Sequence, residues 1–167
     1  MTSQNSMLVA GAGNDLMGDD GAGIYVINKL EEMNPDHIDL RNCGTDLFRL
    51  ATARQHYEKV ILVDAIRANK PPGSIHWFTP DHIGNYSVSG SVHQLSVMEI
   101  LSLLPLMNAN FSGSEFYLVG IEPGDFTYQQ GLSAAVQKSA EKVFQLLSTQ
   151  SGCQQILNNC ESVKVSE

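Results

Sequence analysis

Residues 7–23 read MLVAGAGNDLMGDDGAG, and this stretch decides the fold. Met7-Leu8-Val9-Ala10 is an apolar run of the length of a buried strand. Gly11 and Gly13 then let the backbone turn tightly and lie close to whatever binds there. Asp19 and Asp20 follow. Beyond Gly21-Ala22-Gly23, the residues Ile24, Ile27, Leu30 and Met33 recur at spacings of three, which places them on one helix face. The stretch is a strand, a glycine-rich loop and a helix, with two carboxylates just ahead of the helix.

Three readings of that loop compete. Gly11-x-Gly13 begins a dinucleotide fingerprint, but Leu16 stands where the third glycine belongs, and no Lys-Ser/Thr pair follows as in a P-loop. Asp15, Asp19 and Asp20 would also repel phosphate, so nucleotide binding is disfavoured. A carboxylate-rich loop at the carboxyl end of a strand suits a cation. The plain alternative is that Asp19 or Asp20 caps the helix.

The 167 residues are enough for one domain with a substantial core. Hydrophobic content of 43% and charged content of 17% suit a soluble globular chain. A net charge of −8 argues against nucleic-acid binding and against adhesion to an anionic membrane, and is compatible with a basic protein partner. No stretch has the apolar length of a membrane span, and the start MTSQNSM has no secretory pattern. Cys43, Cys153 and Cys160 form neither a disulfide framework nor a zinc pattern, which points to the reducing cytosol. Nothing suggests an obligate interface, so a monomer is expected.

Downstream, Asn34-Pro35-Asp36 is a turn, and residues 37–43 alternate as a second strand. Leu47, Leu50 and Ala51 mark a short helix reaching about His56. Val60-Ile61-Leu62-Val63 is a β-branched central strand that runs into Asp64. Residues 74–78 (SIHWF) form a fourth strand, and Asp81 to Gly90 a polar, glycine-bearing mobile loop. His93 opens a helical run carrying Leu95, Met98, Leu101 and Leu104, and residues 116–121 form a fifth strand. Ser133 can cap a last helix with Ala135, Val136, Ala140, Val143, Phe144 and Leu147 at helical spacing. The domain thus spans 1–148, and 149–167 is a polar tail, frayed or forming a short extra helix. Strands alternating with helices predict a single α/β domain, a mostly parallel twisted sheet of about five strands with helices on both faces.

In such sheets ligands lie outside the carboxyl ends of the strands, which selects the loops at 11–21, 44–46 and 64–67. Asp20 follows the first strand, Asp64 ends the third, and His93 sits at a loop-to-helix junction. Two carboxylates and an imidazole suit a borderline divalent ion such as nickel, zinc or cadmium, with positions left open for water or substrate. Individually each residue has an ordinary structural reading, as a turn former or a cap. Asp20 and Asp64 sharing a proton as a carboxylate dyad ranks below metal ligation. His37, His56, His76 and His82 receive no role. No Gly-x-Ser-x-Gly elbow is present, and Cys43 reads as a strand-end core residue.

Taken together, four blocks resemble one family. GAGNDLMGDDGAG is similar to the GxGNxLxxDDGxG signature of the hydrogenase maturation proteases. VDAIRANKPPG, SVHQLSVMEIL and LVGIEP resemble that family's next three blocks, in the same order, over about residues 7–148. The resemblance implies metal-binding and catalytic positions at Asp20, Asp64 and His93. It implies substrate-binding positions at Gly11, Gly13, Asn14, Gly44 and Thr45.

The implied activity is a single endoproteolytic cut that removes the C-terminal extension of a nickel-iron hydrogenase large-subunit precursor after nickel insertion. The nickel is supplied by the precursor, and no tightly held cofactor is expected in the isolated protein. A chaperone that senses nickel in the precursor and cuts nothing would use the same three residues. For an enzyme, the metal polarises the scissile carbonyl or acidifies a water, or else a carboxylate acts as general base.

Overall fold

A computed structural model describes residues 5–79, 92–124 and 126–163, with the side chains of 92–96, 98, 162 and 163 outside the description. The strands β1 (Met7–Ala12), β2 (Asp39–Gly44), β3 (Lys59–Ala65), β4 (Ile75–Phe78) and β5 (Glu115–Ile121) form one sheet in the order β2-β1-β3-β5-β4. All pairings are parallel except β4 with β5. The helices are α1 (Ala22–Met33), α2 (Val92–Met107), α3 (Ala134–Leu147) and α4 (Gln150–Val163). The loop expected at Asp81 to Gly90 lies outside the described residues.

Alternation along β3 divides the core in two. Ile61, Val63 and Ala65 face a cluster with Ile27 and Leu30 of α1, Val136 and Val143 of α3, and Ile156 and Leu157 of α4. Val60 and Leu62 face the other side, with Leu101 and Leu104 of α2, Phe111 and Phe116. Both faces are covered, which is why β1 and β3 read as continuous apolar runs rather than alternating ones.

Helix α1 lies unusually close to the sheet. A methyl group on Gly23 would stand 2.2 Å from the Val63 carbonyl oxygen, and one on Gly11 would stand 2.3 Å from Ile27 Cγ1. The helix buries Ile24, Ile27 and Leu30 as its spacing predicts, while Met33 at its end is half exposed. It stops at Asn34, whose left-handed backbone (φ 51°) returns its N–H to the Leu30 carbonyl.

Two details refine or change the sequence reading. Of the two forms left open after Ser148, a frayed tail or a short extra helix, residues 150–163 take the helix, α4, with Cys153, Ile156, Leu157 and Cys160 buried against the sheet. Its apolar residues recur at three and four, and the intervening glutamines and asparagines mask that stripe in the composition. The segment after β2 is a 3-10 turn, Leu47–Thr52, capped by Asp46, whose carboxylate accepts the Phe48 N–H at 3.0 Å. It is too short to form an α-helix and buries only Leu47 and Leu50, one turn apart.

Candidate active site

The chain leaves β1 toward β2 on one side and returns to β3 on the other, so the carboxyl ends of β1 and β3 diverge and leave a crevice between them. Asp20 and Asp64 sit at that crevice. Asp64 is the penultimate residue of β3 and is 1% exposed. It points to the α2 face with Leu62, and its Oδ1 accepts the Ala65 N–H at 2.8 Å.

Asp20 comes from the 3-10 turn Gly18–Gly21. The Asn14 N–H donates to Asp20 Oδ2 at 3.1 Å and to the Asp20 carbonyl at 3.3 Å. The Asn14 side chain is turned back on the loop, where its Oδ1 accepts the Leu16 N–H. Neither Asp19 nor Asp20 stands at the capping position of α1, which is Gly21 and makes no side-chain cap bond.

Gly13 makes the convergence possible. It holds φ +131°, and a methyl group there would stand 2.0 Å from the Asp20 carbonyl oxygen and 3.7 Å from Asp64 Oδ1. Only a residue without Cβ lets the turn fold down beside β3. The Gly13 N–H also donates to the Gly44 carbonyl at 2.9 Å, which closes the loops after β1 and β2 against each other. Gly44 holds φ +55°, and its own N–H is taken by Asn42 Oδ1 at 2.9 Å. Thr45 beside it is exposed. Gly11, by contrast, lies under α1, where packing accounts for it.

The electrostatics of the crevice are strained. Burial pushes the Asp64 carboxyl up, the charge of Asp20 pushes it further, and the Ala65 N–H only partly opposes them, leaving it at about 8 instead of 3.8. A proton or a cation relieves two like charges in so dry a place. Among the described residues no third His, Cys, Asp or Glu completes a metal-binding cluster. The backbone of His93 lies in the first turn of α2, and its side chain is outside the description. The far end of α2 is held at the amino edge of the sheet, where Asn108 Nδ2 donates to the carbonyls of Ala51 and Ala53. A helix of 16 residues spans about 24 Å, so its first turn lies toward the carboxyl edge.

Three further polar residues, none assigned to the site by the sequence reading, tie the neighbouring loops together. Asp19, 3% exposed, is bonded to Gly124 and Ser133. Ser133 occupies the capping position of α3, yet its hydroxyl donates to Asp19 and caps nothing. Glu122, at the end of β5, is also 3% exposed, and its Oε2 accepts the Ala68 N–H and His76 Nε2, each at 2.8 Å. Asp64, Gly120 and His76 lie in one row across the sheet. Ile66 packs over Gly120, within 2.8 Å of where a Cβ would stand, and so forms an apolar wall in that row. The antiparallel pairing of β4 brings His76 to Glu122, and no local signal announces it.

No cysteine serves as nucleophile. Cys43 is fully buried, and burial pushes its thiol up to about 11.

The family model for hydrogenase maturation proteases (HycI) matches residues 24–150. This chain belongs to the hydrogenase maturation protease family. It is 28% identical over 142 residues to the hydrogenase 2 maturation protease of Escherichia coli K12, covering 81% of this chain and 84% of that one. The [NiFe] hydrogenase maturation protease HybD from Thermococcus kodakarensis superposes with a TM-score of 0.73 at 27% identity, over 84% of this chain and 95% of HybD. HycI from the same organism gives 0.71 at 25% identity, over 92% and 93% of the two chains. HybD from E. coli is named a hydrogenase maturating endopeptidase, and this chain is a peptide-bond hydrolase of the same α/β fold. Among its described residues, no helix is long and apolar enough to cross a membrane.

Proposed function

We propose that this protease removes the C-terminal extension of a nickel-iron hydrogenase large-subunit precursor once nickel has been inserted. Asp20, Asp64 and His93 meet that nickel, which arrives as part of the substrate. The observation that carries the reading is the pairing of two carboxylates, one from the turn after β1 and one, buried, from the end of β3, at the crevice between those strands. Such a pair gains most from a ligand that brings positive charge.

The reaction adds one water across one peptide bond. Water oxygen bonds to the scissile carbonyl carbon, its proton passes to a carboxylate of the pair, and the C–N bond breaks as the amine takes up a proton. Nickel contributes Lewis acidity and fixes where the carbonyl lies. Gly13, Asn14, Gly44 and Thr45 line the adjoining loops, where an extended tail can approach the backbone. The acidic surface suits a basic partner, and three buried, unlinked cysteines suit the cytosol.

The test is to incubate the protein with nickel-loaded and nickel-free precursor and weigh the products. Loss of a C-terminal peptide from the loaded form alone supports the reading. Equal cleavage of both forms removes nickel recognition from it. An intact, bound precursor supports a chaperone that cuts nothing.

A further inference from the structure

Asp19 and Asp20 are neighbours with opposite attachments. Asp20 faces the crevice and Asn14. Asp19 faces the segment that follows β5: its Oδ1 accepts the Ser133 N–H at 2.7 Å, and its Oδ2 accepts the Gly124 N–H at 2.9 Å and the Ser133 hydroxyl at 2.8 Å. The approach is close enough that a methyl group on Gly124 would stand 3.2 Å from Oδ2. The Gly18 N–H adds a bond to the Gln129 carbonyl at 2.8 Å, and Met17 bridges Gln129 in parallel. A turn near the start of the chain is thereby bolted to residues more than a hundred positions later.

The bolt acts at a mechanically important place. Successive side chains in a 3-10 turn point about 120° apart, so the direction of Asp19 sets the direction of Asp20. The turn closes over Gly13, where the Asp20 carbonyl and Asp64 Oδ1 lie within 2.0 and 3.7 Å of one Cβ position, so where the turn is fastened decides where Asp20 lies relative to Asp64. The donors on Asp19 are far from the crevice along the chain, and charge-assisted bonds of this kind are strong.

We propose that Asp19 is a positioning residue: by fastening the turn Gly18–Gly21 to Gly124 and Ser133, it holds Asp20 against Asp64 in the geometry that cleavage requires. This rests on the proposed site at Asp20 and Asp64.

The test uses Asp19→Asn, which removes one acceptor, and Ser133→Ala, which removes one donor and keeps the turn's own sequence. Amide hydrogen exchange of the whole protein is read beside kcat on nickel-loaded precursor. In Asp19→Asn, exchange at Asn14, whose N–H is held by Asp20, is expected to quicken about tenfold together with that at Gly124 and Ser133. Amides of β1, β3 and β5 stay protected, and kcat falls about tenfold. Ser133→Ala shows the same pattern at about threefold, and carries the test if Asp19→Asn does not fold. Faster exchange at Gly124 and Ser133, with Asn14 exchange and kcat within twofold of wild type, overturns the proposal. A wild-type protein that cuts no matched precursor sinks the proteolytic reading instead, and exchange at Asn14 still decides what Asp19 holds.

Discussion

The charge of Asp20 bears on the buried carboxyl of Asp64, two residues brought together from the ends of β1 and β3. Together with burial it holds Asp64 at about 8, against 3.8 for a free aspartate. The folded chain therefore binds this proton more tightly than the unfolded chain does. The stability that comes with it is complete below about 3.8 and is lost as pH rises through about 8. Asp64→Asn keeps the shape and abolishes the titration. Its melting temperature should match wild type near pH 4 and exceed it by several degrees above pH 8, since about 1 kcal/mol moves Tm by roughly 2–4 °C at this size. A constant difference across that range would show that Asp64 does not titrate there.

Removing the proposed ligands one at a time separates function from folding. Asp20→Asn, Asp64→Asn and His93→Ala should each fold and each cut nickel-loaded precursor about 100-fold more slowly, or worse. Circular dichroism checks the first point and product masses the second. Wild-type rates in all three variants would move the site elsewhere.

Gly13→Ala tests whether the loop geometry brings the carboxylates together. The added methyl group would stand 2.0 Å from the Asp20 carbonyl oxygen on a backbone at φ +131°. Strain of about 1–3 kcal/mol from the backbone alone is expected, with more from the overlap. The urea midpoint should fall accordingly, and cleavage should drop further than stability explains, because the turn bearing Asp20 must lift away.

Glu122 tests the far wall. Its Oε2 ties Ala68, just past Asp64, to His76 on β4. Glu122→Ala leaves the Ala68 N–H and the His76 ring without that acceptor and should cost about 2–4 kcal/mol. Glu122→Gln retains an oxygen for Ala68 and should cost about 1 kcal/mol. Urea melts of the two variants give the comparison; equal losses would mean that the amide oxygen of Glu122→Gln does not replace the carboxylate as the acceptor for Ala68.

What the sequence determined by itself is local. The apolar runs at 7–10 and 60–63 read as central strands because both of their faces are covered, and the spacing of Ile24, Ile27 and Leu30 marks the face of α1 that is buried. The order of strands and helices implies a mostly parallel sheet, and that order selects the loops carrying Asp20 and Asp64. These features depend on periodicity, which a linear chain displays. The tertiary structure alone decided which neighbour each polar group meets. Asp19 turns to Gly124 and Ser133 rather than to the helix it precedes, and His76 reaches Glu122 because β4 runs antiparallel to β5. α4 is helix rather than tail because the sheet offers an apolar surface to its sparse stripe of Cys153, Ile156, Leu157 and Cys160. Hydrogen bonds and repulsions between groups far apart in the chain depend on distances that exist only once the chain has packed, and the Asp20–Asp64 pair is such a distance.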